Sequence, residues 1–375
     1  MLASCTRRQG VRITACFLLF LPLIVQPGCC RTEVSIGLVT SLSGRYSDMA
    51  VNCRNGAVLA VEDLQKKSGK YSFRLVTMDD EGDPARSQKC IKELAAQGVS
   101  FVVGPLVTGT ATWAVPEINA QGMLTVGPVI AGENLAGKDD FFIKLFPSTE
   151  QLAARLSSYA VKKAGVTSLA AIYDVGNREY SELWYANLKK FIEQEGGRVS
   201  APVVYKAGDA VRYDRIAETA LEKKTQGVFV CASGFDSALL CQQLKKRGAV
   251  PVFLSSWAST NELITAGGRS VEGVILCQPY DWESDSASYR SFSDRYSGRF
   301  SRIPNYGAMF HYEAVMLLAD AIAKAGPDPG KAKKEIISKG YFDGLQGRVN
   351  VDRNGDVTRP LYIYTVEKNR FRKVE

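Results

Sequence analysis

Apolar and polar residues alternate along this chain in blocks that read as strand, short loop and helix, repeated many times. Val34 to Thr40 is a short apolar run rich in β-branched residues, the length of a buried parallel strand. Small polar residues follow (Ser41, Ser43, Gly44), and then Ala57, Ala60, Val61 and Leu64 fall at the i, i+3, i+4, i+7 spacing of one helix face. Asn55-Gly56 has the composition of a hairpin turn, but the helical period runs through it. Gly56 is therefore expected at a point of close packing.

The pattern continues with a strand over Tyr71 to Met78 and an acidic turn, Asp79 to Asp83. Asp83 before Pro84 is a helix start with proline at the first helical position. A calcium loop would need ligand oxygens at fixed alternating positions, which the turn lacks. Strands are expected at Phe101–Gly104, Met123–Gly127 and Phe141–Phe146, with a helix opening at 105–110. A second series follows: helix 151–163, strand 168–173, helix 180–195, strand 199–205 and helix 213–223. FVVGPLVTGTATWAVPEINAQGMLTVGP from Phe101 and VFVCASGFDSALLCQQLKKRGAVPVFLSS from Val228 share one plan: strand, small-residue loop, helix, glycine, strand. Two α/β lobes of one architecture, each with a doubly wound parallel sheet, account for this. The tail differs, with helices at 289–300, 308–325 and 331–339, then antiparallel strands turning at Asn354-Gly355 and Lys368-Asn369.

Length and composition add boundaries. The 375 residues suit two domains, and 46% hydrophobic with 23% charged residues is globular composition. The net charge of +8 includes Arg7, Arg8 and Arg12, and the lysines are spread among acidic residues, which argues against nucleic-acid binding. Those arginines precede an apolar stretch, Ile13 to Val25, so residues 1–30 are expected to be a signal peptide. Gly28-Cys29 is similar to a lipoprotein cleavage site, although Gln26 stands where leucine is preferred. A lipid anchor at Cys29 and a free periplasmic protein both remain open. The remaining cysteines are Cys53, Cys90, Cys231, Cys241 and Cys277. Buried free thiols are favoured over a Cys53–Cys90 bridge, because right-handed crossovers put the first two helices on opposite sheet faces. No metal spacing, dinucleotide loop, Walker loop or nucleophile elbow is present, and His311 is the one histidine. It lies in a predicted helix, where packing is the expected role, so no enzyme, cofactor or metal is expected.

The stretch VSIGLVTSLSGRYSDMAVNCRNGAVLAVEDL resembles the opening of the branched-chain amino-acid type of periplasmic binding proteins, the solute receptors of ABC transporters. DDEGDPARS, FVVGPLVTG, Tyr173-Asp174, EGVILCQPYDWES and FDGLQGRVNVDRNGDVTRPLYIY resemble further family segments in the same order. The resemblance implies the type I fold, two lobes joined by a three-segment hinge near Pro147, Tyr280 and Gly347. Lobe 1 would then hold 31–147 and 281–346, and lobe 2 would hold 148–280 and 347–375. It also implies a periplasmic location, a small-molecule ligand in the cleft and a transporter permease as partner. A sensing module on the same fold is the alternative.

By the resemblance, Thr108 holds the ligand carboxylate, and Val107 lies beside it in the ligand site. Thr108 sits where a strand gives way to a helix, a place where a hydroxyl and N–H groups converge on an anion. Val129, Ile130 and Ala131 take the place of a loop whose threonine receives the ammonium, and Trp257 stands where an acidic residue is expected. Ser233 replaces an aromatic, with Phe235 nearby, and Tyr280 lies at the hinge. Tyr46, Met49, Tyr180 and Trp257 are expected as apolar walls, and Arg45 as a second carboxylate contact or, by preference, a rim charge. A one-residue slip in register would bring Asp236 or Asp281 to the ammonium instead. Leaving a buried ammonium without its partner costs roughly 3–5 kcal/mol, against about 8 kcal/mol for a micromolar complex. The expected ligand is thus an amino acid or a related small carboxylate, with these replacements pointing to one without the α-amino group.

Overall fold

The structure is a computed structural model that describes residues 31–208, 210–248 and 250–375. The expected signal segment 1–30, including Cys29, lies outside the described residues.

The first lobe is built on β1 (Thr32–Thr40), β2 (Tyr71–Asp79), β3 (Phe101–Val103), β4 (Leu124–Gly127) and β5 (Phe142–Lys144). Its helices are α1 (Ser47–Gln65), α2 (Pro84–Ala96) and α3 (Thr108–Gln121). The strands run parallel in the order β2-β1-β3-β4-β5. Asp83 caps α2 as expected, accepting from the Arg86 N–H at 2.7 Å. The second lobe holds α4 (Thr149–Lys162), β6 (Ser168–Asp174), α5 (Arg178–Gln194), β7 (Arg198–Val199), β8 (Val203–Tyr205) and α6 (Tyr213–Leu221). It continues with β9 (Gly227–Cys231), α7 (Gly234–Arg247), β10 (Val252–Leu254), α8 (Asn261–Gly267) and β11 (Ile275–Gln278). The one strand expected over 199–205 is split into β7 and β8, which both pair with β6. Pro202 lies in the gap and can donate no ladder hydrogen bond.

The chain then returns to the first lobe with α9 (Ala287–Phe300), α10 (Tyr306–Ala325) and α11 (Pro329–Lys339). Next come β12 (Tyr341–Gly344), β13 (Gly347–Val351), β14 (Val357–Thr358), β15 (Tyr362–Glu367) and β16 (Arg370–Lys373). β15 and β16 add antiparallel to the second sheet, giving β16-β15-β11-β10-β9-β6-β7. By contrast, β13 pairs with β12 and β14 in a small separate sheet. Its Asn354-Gly355 turn rests on β5: the Lys144 N–H donates to the Gly355 carbonyl at 3.0 Å. β15, after this turn, pairs with β11 of the second sheet. The hairpin signal at Asn354-Gly355 holds the turn beside the first sheet.

Two features fix the frame. Helix α1 packs on α10 so closely that a Cβ on Gly56 would lie 2.0 Å from the Ala308 carbonyl oxygen. The periodicity reading of Gly56 as a contact point is what the structure shows. The second feature is a buried ion pair where the crossings meet. Arg359 Nη2 donates to Glu313 Oε2 at 2.6 Å, its Nε to the Leu145 carbonyl at 3.0 Å, and its guanidinium lies 4.5 Å from the Phe310 ring centroid. Glu313 Oε1 also accepts the Leu345 N–H at 2.7 Å. Arg359 thus ties the returning chain near Pro360 both to α10 and to the outgoing chain near Pro147.

Among the described residues the five cysteines are free and buried, with Cys53 on α1 and Cys90 on α2 in separate apolar clusters. No helix among them is long and apolar enough to cross a membrane.

Candidate functional site

The strand ends of the two lobes face each other across a narrow cavity. In the first lobe Gly104, at φ +116°, lets the backbone after β3 pass so near β1 that a Cβ there would lie 2.1 Å from the Val39 carbonyl. That turn carries Leu106, Val107 and Thr108 to the cavity, beside Tyr46, Met49 and Val129. Phe146 lines it from the hinge side and Tyr306 from the start of α10. The second lobe contributes Asn177, Tyr180, Ser256 and Trp257. Space open to the centre of a water molecule is about 40 Å³. None of these wall residues carries a charge.

Thr108 is only 2% exposed and begins α3, while Val107 occupies the cap position without a side-chain bond. The orphan N–H groups of a helix start therefore lie at the cavity beside the Thr108 hydroxyl. Gly109 N–H is taken by Asn177 Oδ1 of the other lobe at 3.3 Å. The opposite wall is aromatic. Trp257 lies 6.0 Å from Tyr46 and 6.0 Å, edge-on, from Tyr180. Tyr180 Oη and Ser256 Oγ are bonded at 3.0 Å, which fixes the Tyr180 ring. Burial pushes the Tyr46, Tyr180 and Tyr306 phenols up, so all three stay neutral at any ordinary pH.

The structure gathers Tyr46, Met49, Val107, Thr108, Val129, Tyr180 and Trp257 around one space. Other residues singled out from the sequence sit elsewhere. Ile130 turns into the apolar cluster beneath α2 and α3, and Ala131 is fully buried with its carbonyl accepting the Thr149 N–H at 3.0 Å. Ser233 caps α7, its hydroxyl accepting the Asp236 N–H at 3.1 Å, and Phe235 is 49% exposed. Tyr280 is fully buried in an aromatic group with Trp282 and Tyr289. The carboxylates left open by register also have other partners. Asp236 accepts the Tyr213 hydroxyl at 2.6 Å, and Asp281 accepts Lys373 Nζ at 2.6 Å. Neither lines the cavity.

Arg45 is not the free rim charge expected. It ion-pairs with the buried Asp174 of the second lobe, and its guanidinium lies 5.0 Å from the Tyr46 ring and 5.8 Å from the Trp257 ring. Asp174 also accepts the Gly176 N–H at 2.8 Å and the Ala207 N–H at 3.1 Å. Tyr46 Oη donates to the Gly176 carbonyl at 3.0 Å. Three interlobe contacts, at Asp174, Gly176 and Asn177, thus converge on one turn of the second lobe. His311 packs inside α10, its Nδ1 bonded to the Gly307 carbonyl at 2.8 Å, and burial pushes its pKa down to about 4.

Sequence reasoning missed Leu106, Phe146, Asn177, Ser256 and Tyr306. Leu106 and Ser256 adjoin predicted site residues, and Phe146 adjoins the predicted hinge, so chain adjacency would have found them. Asn177 follows a strand end in a Gly-Asn turn, a position that favours small polar residues near ligands.

The family model for periplasmic binding proteins matches residues 33–370. The chain belongs to that family. Within it, the similarity is to the branched-chain amino-acid type. The leucine-, isoleucine-, valine-, threonine- and alanine-binding protein of Pseudomonas aeruginosa is 24% identical over 327 residues, covering 86% of this chain and 85% of that protein. The fold also matches the LivJ substrate-binding protein of Streptococcus pneumoniae in complex with isoleucine. There the TM-score is 0.82 at 19% identity, covering 91% of this chain and 98% of that one. A solute-binding protein of R. palustris in complex with 4-hydroxybenzoate gives a TM-score of 0.82 at 19% identity, with coverage of 92% and 96%. This periplasmic binding protein therefore shares its fold with receptors of both an amino acid and an aromatic acid.

Proposed function

We propose that this periplasmic binding protein is the extracytoplasmic receptor of an ABC transporter and closes its lobes on a small carboxylic acid without an α-amino group, aromatic in preference to aliphatic. One observation carries the reading: among the described residues no acidic side chain lines the cavity, and the position expected to hold an ammonium partner is Trp257. The carboxylate is received at the start of α3 by Thr108 and nearby N–H groups, with Val107 beside it. Tyr46, Met49, Val129, Tyr180 and Trp257 enclose an apolar ring. The R. palustris protein bound to 4-hydroxybenzoate supports this choice by showing the fold taking such a ligand. Delivery is to the transporter's permease, from the periplasm.

Calorimetry with phenylalanine, leucine, 3-phenylpropanoate and 4-hydroxybenzoate tests it. The acids without an amino group are expected to bind at micromolar concentration. The amino acids are expected more than 100-fold weaker, since an unpaired buried ammonium costs roughly 3–5 kcal/mol. Micromolar leucine or phenylalanine, with the desamino acids weak, overturns the choice of ligand.

Closure brings Arg45 onto Asp174, so Arg45→Gln is expected to weaken every ligand by one common factor. A hydrogen bond to a charged group of this kind contributes about 1–2 kcal/mol, or about 5–30-fold in Kd. Titration of two unlike ligands checks this, and a loss confined to one of them refutes a role in closure.

A further inference from the structure

We propose that Asn177 is the second lobe's contact for the ligand carboxylate and the residue by which the site tells an acid from its amide. The inference rests on the reading of the cleft as a carboxylate site.

Asn177 sits in the turn between β6 and α5, is 6% exposed, and lines the cavity. Its orientation is chemically determined. Gly109 N–H is a donor and demands an acceptor, so the carbonyl oxygen of the side chain must be the atom facing it at 3.3 Å. The two N–H bonds of Nδ2, in the same amide plane as Oδ1, have no protein acceptor among the described residues. Nδ2 is open to the cavity that Asn177 lines, and a carboxylate there supplies an acceptor that the protein does not. Thr108 stands on the same wall region and belongs to the other lobe.

The arrangement has a second effect. Asn177 meets Gly109 only when the lobes are together, so the bond that aims Nδ2 forms on closure. The carboxylate then receives donors from both lobes at once, Thr108 from one and Asn177 from the other. A neutral carboxamide presents its own NH₂ to one of these donors and is rejected.

Asn177→Asp separates this role from packing. An aspartate oxygen still accepts Gly109 N–H, but its other oxygen opposes the ligand carboxylate. The probes are 4-hydroxybenzoate with 4-hydroxybenzamide, and leucine with leucinamide, titrated into wild type and variant by calorimetry. The expected result is at least a 30-fold loss of the acid in Asn177→Asp, with the amide changed less than 3-fold. Asn177→Ala is measured in parallel and decides by the same selectivity ratio if the aspartate variant does not fold. It is expected to lose about 10-fold for the acid and little for the amide. Acid binding within 3-fold of wild type overturns the inference. So does a wild-type protein that binds amides as tightly as acids, or that binds neither acid. If leucine binds and 4-hydroxybenzoate does not, the choice of ligand falls, and the leucine pair alone decides the role of Asn177.

Discussion

Arg359→Leu is expected to lower the free energy of unfolding by roughly 3–5 kcal/mol, the cost of leaving one member of a buried ion pair alone. Both groups are almost fully buried, with 4% and 2% of their side chains exposed. Removing the guanidinium strands the Glu313 carboxylate with only the Leu345 N–H at 2.7 Å, and leaves the Leu145 carbonyl without its donor. The stacking of the cation over Phe310 goes as well. Urea denaturation followed by fluorescence measures the change. Adding Glu313→Gln to Arg359→Leu is expected to recover part of the loss, since the second change removes the isolated charge. A single variant within 1 kcal/mol of wild type contradicts this account of the hinge.

Gly56→Ala carries the second large effect and opposes simple helix propensity. Alanine is about 1 kcal/mol better than glycine in a helix interior, so an exposed site would gain. At Gly56 the new methyl meets a backbone oxygen at 2.0 Å, and the Ala308 carbonyl carbon and Cα lie at 2.8 and 2.9 Å. Backbone in a neighbouring helix does not move aside as a side-chain tip does. Helices α1 and α10 must separate, which opens the core on both sides of the crossing. A net loss of about 3 kcal/mol is expected, seen as a drop in Tm of roughly 6 °C. Gly298→Ala is the control: it lies in α9 with nothing within 4 Å of the added Cβ, and should be neutral or slightly stabilising.

The repeating strand–helix periods were enough to find the parallel strands of both sheets, because buried strands and amphipathic helices impose different spacings on their apolar residues. Asp83 and Gly56 were legible for the same reason: each acts within its own helix or on its immediate neighbour. α8 escaped, being seven residues long and too short to show a period. The pairing of β13 with β12 and β14 was not legible, because it depends on partners brought together by folding. In the site, Leu106 and Ser256 escaped although each adjoins a predicted residue, because which way a loop side chain turns is set by the packing around it. Arg45 illustrates this limit. Its partner Asp174 is 129 residues away, and nothing local distinguishes a paired arginine from a solvated one. Ile130 follows Val129 in the turn after β4 and packs into the cluster with α2 and α3, so only Val129 reaches the cavity.

The bonds that Asp174, Gly176 and Asn177 make across the cleft join protein to protein. Their strength sets how often the empty receptor visits its shut form, and that fraction multiplies the intrinsic affinity for whatever is captured. Tuning Arg45 or Tyr46 Oη should therefore scale the grip on all cargo together. Discrimination between one cargo and another belongs to the inner wall. Arg45 can thus change scavenging power without redrawing the menu, whereas Asn177, which also lines the cavity, bears on both.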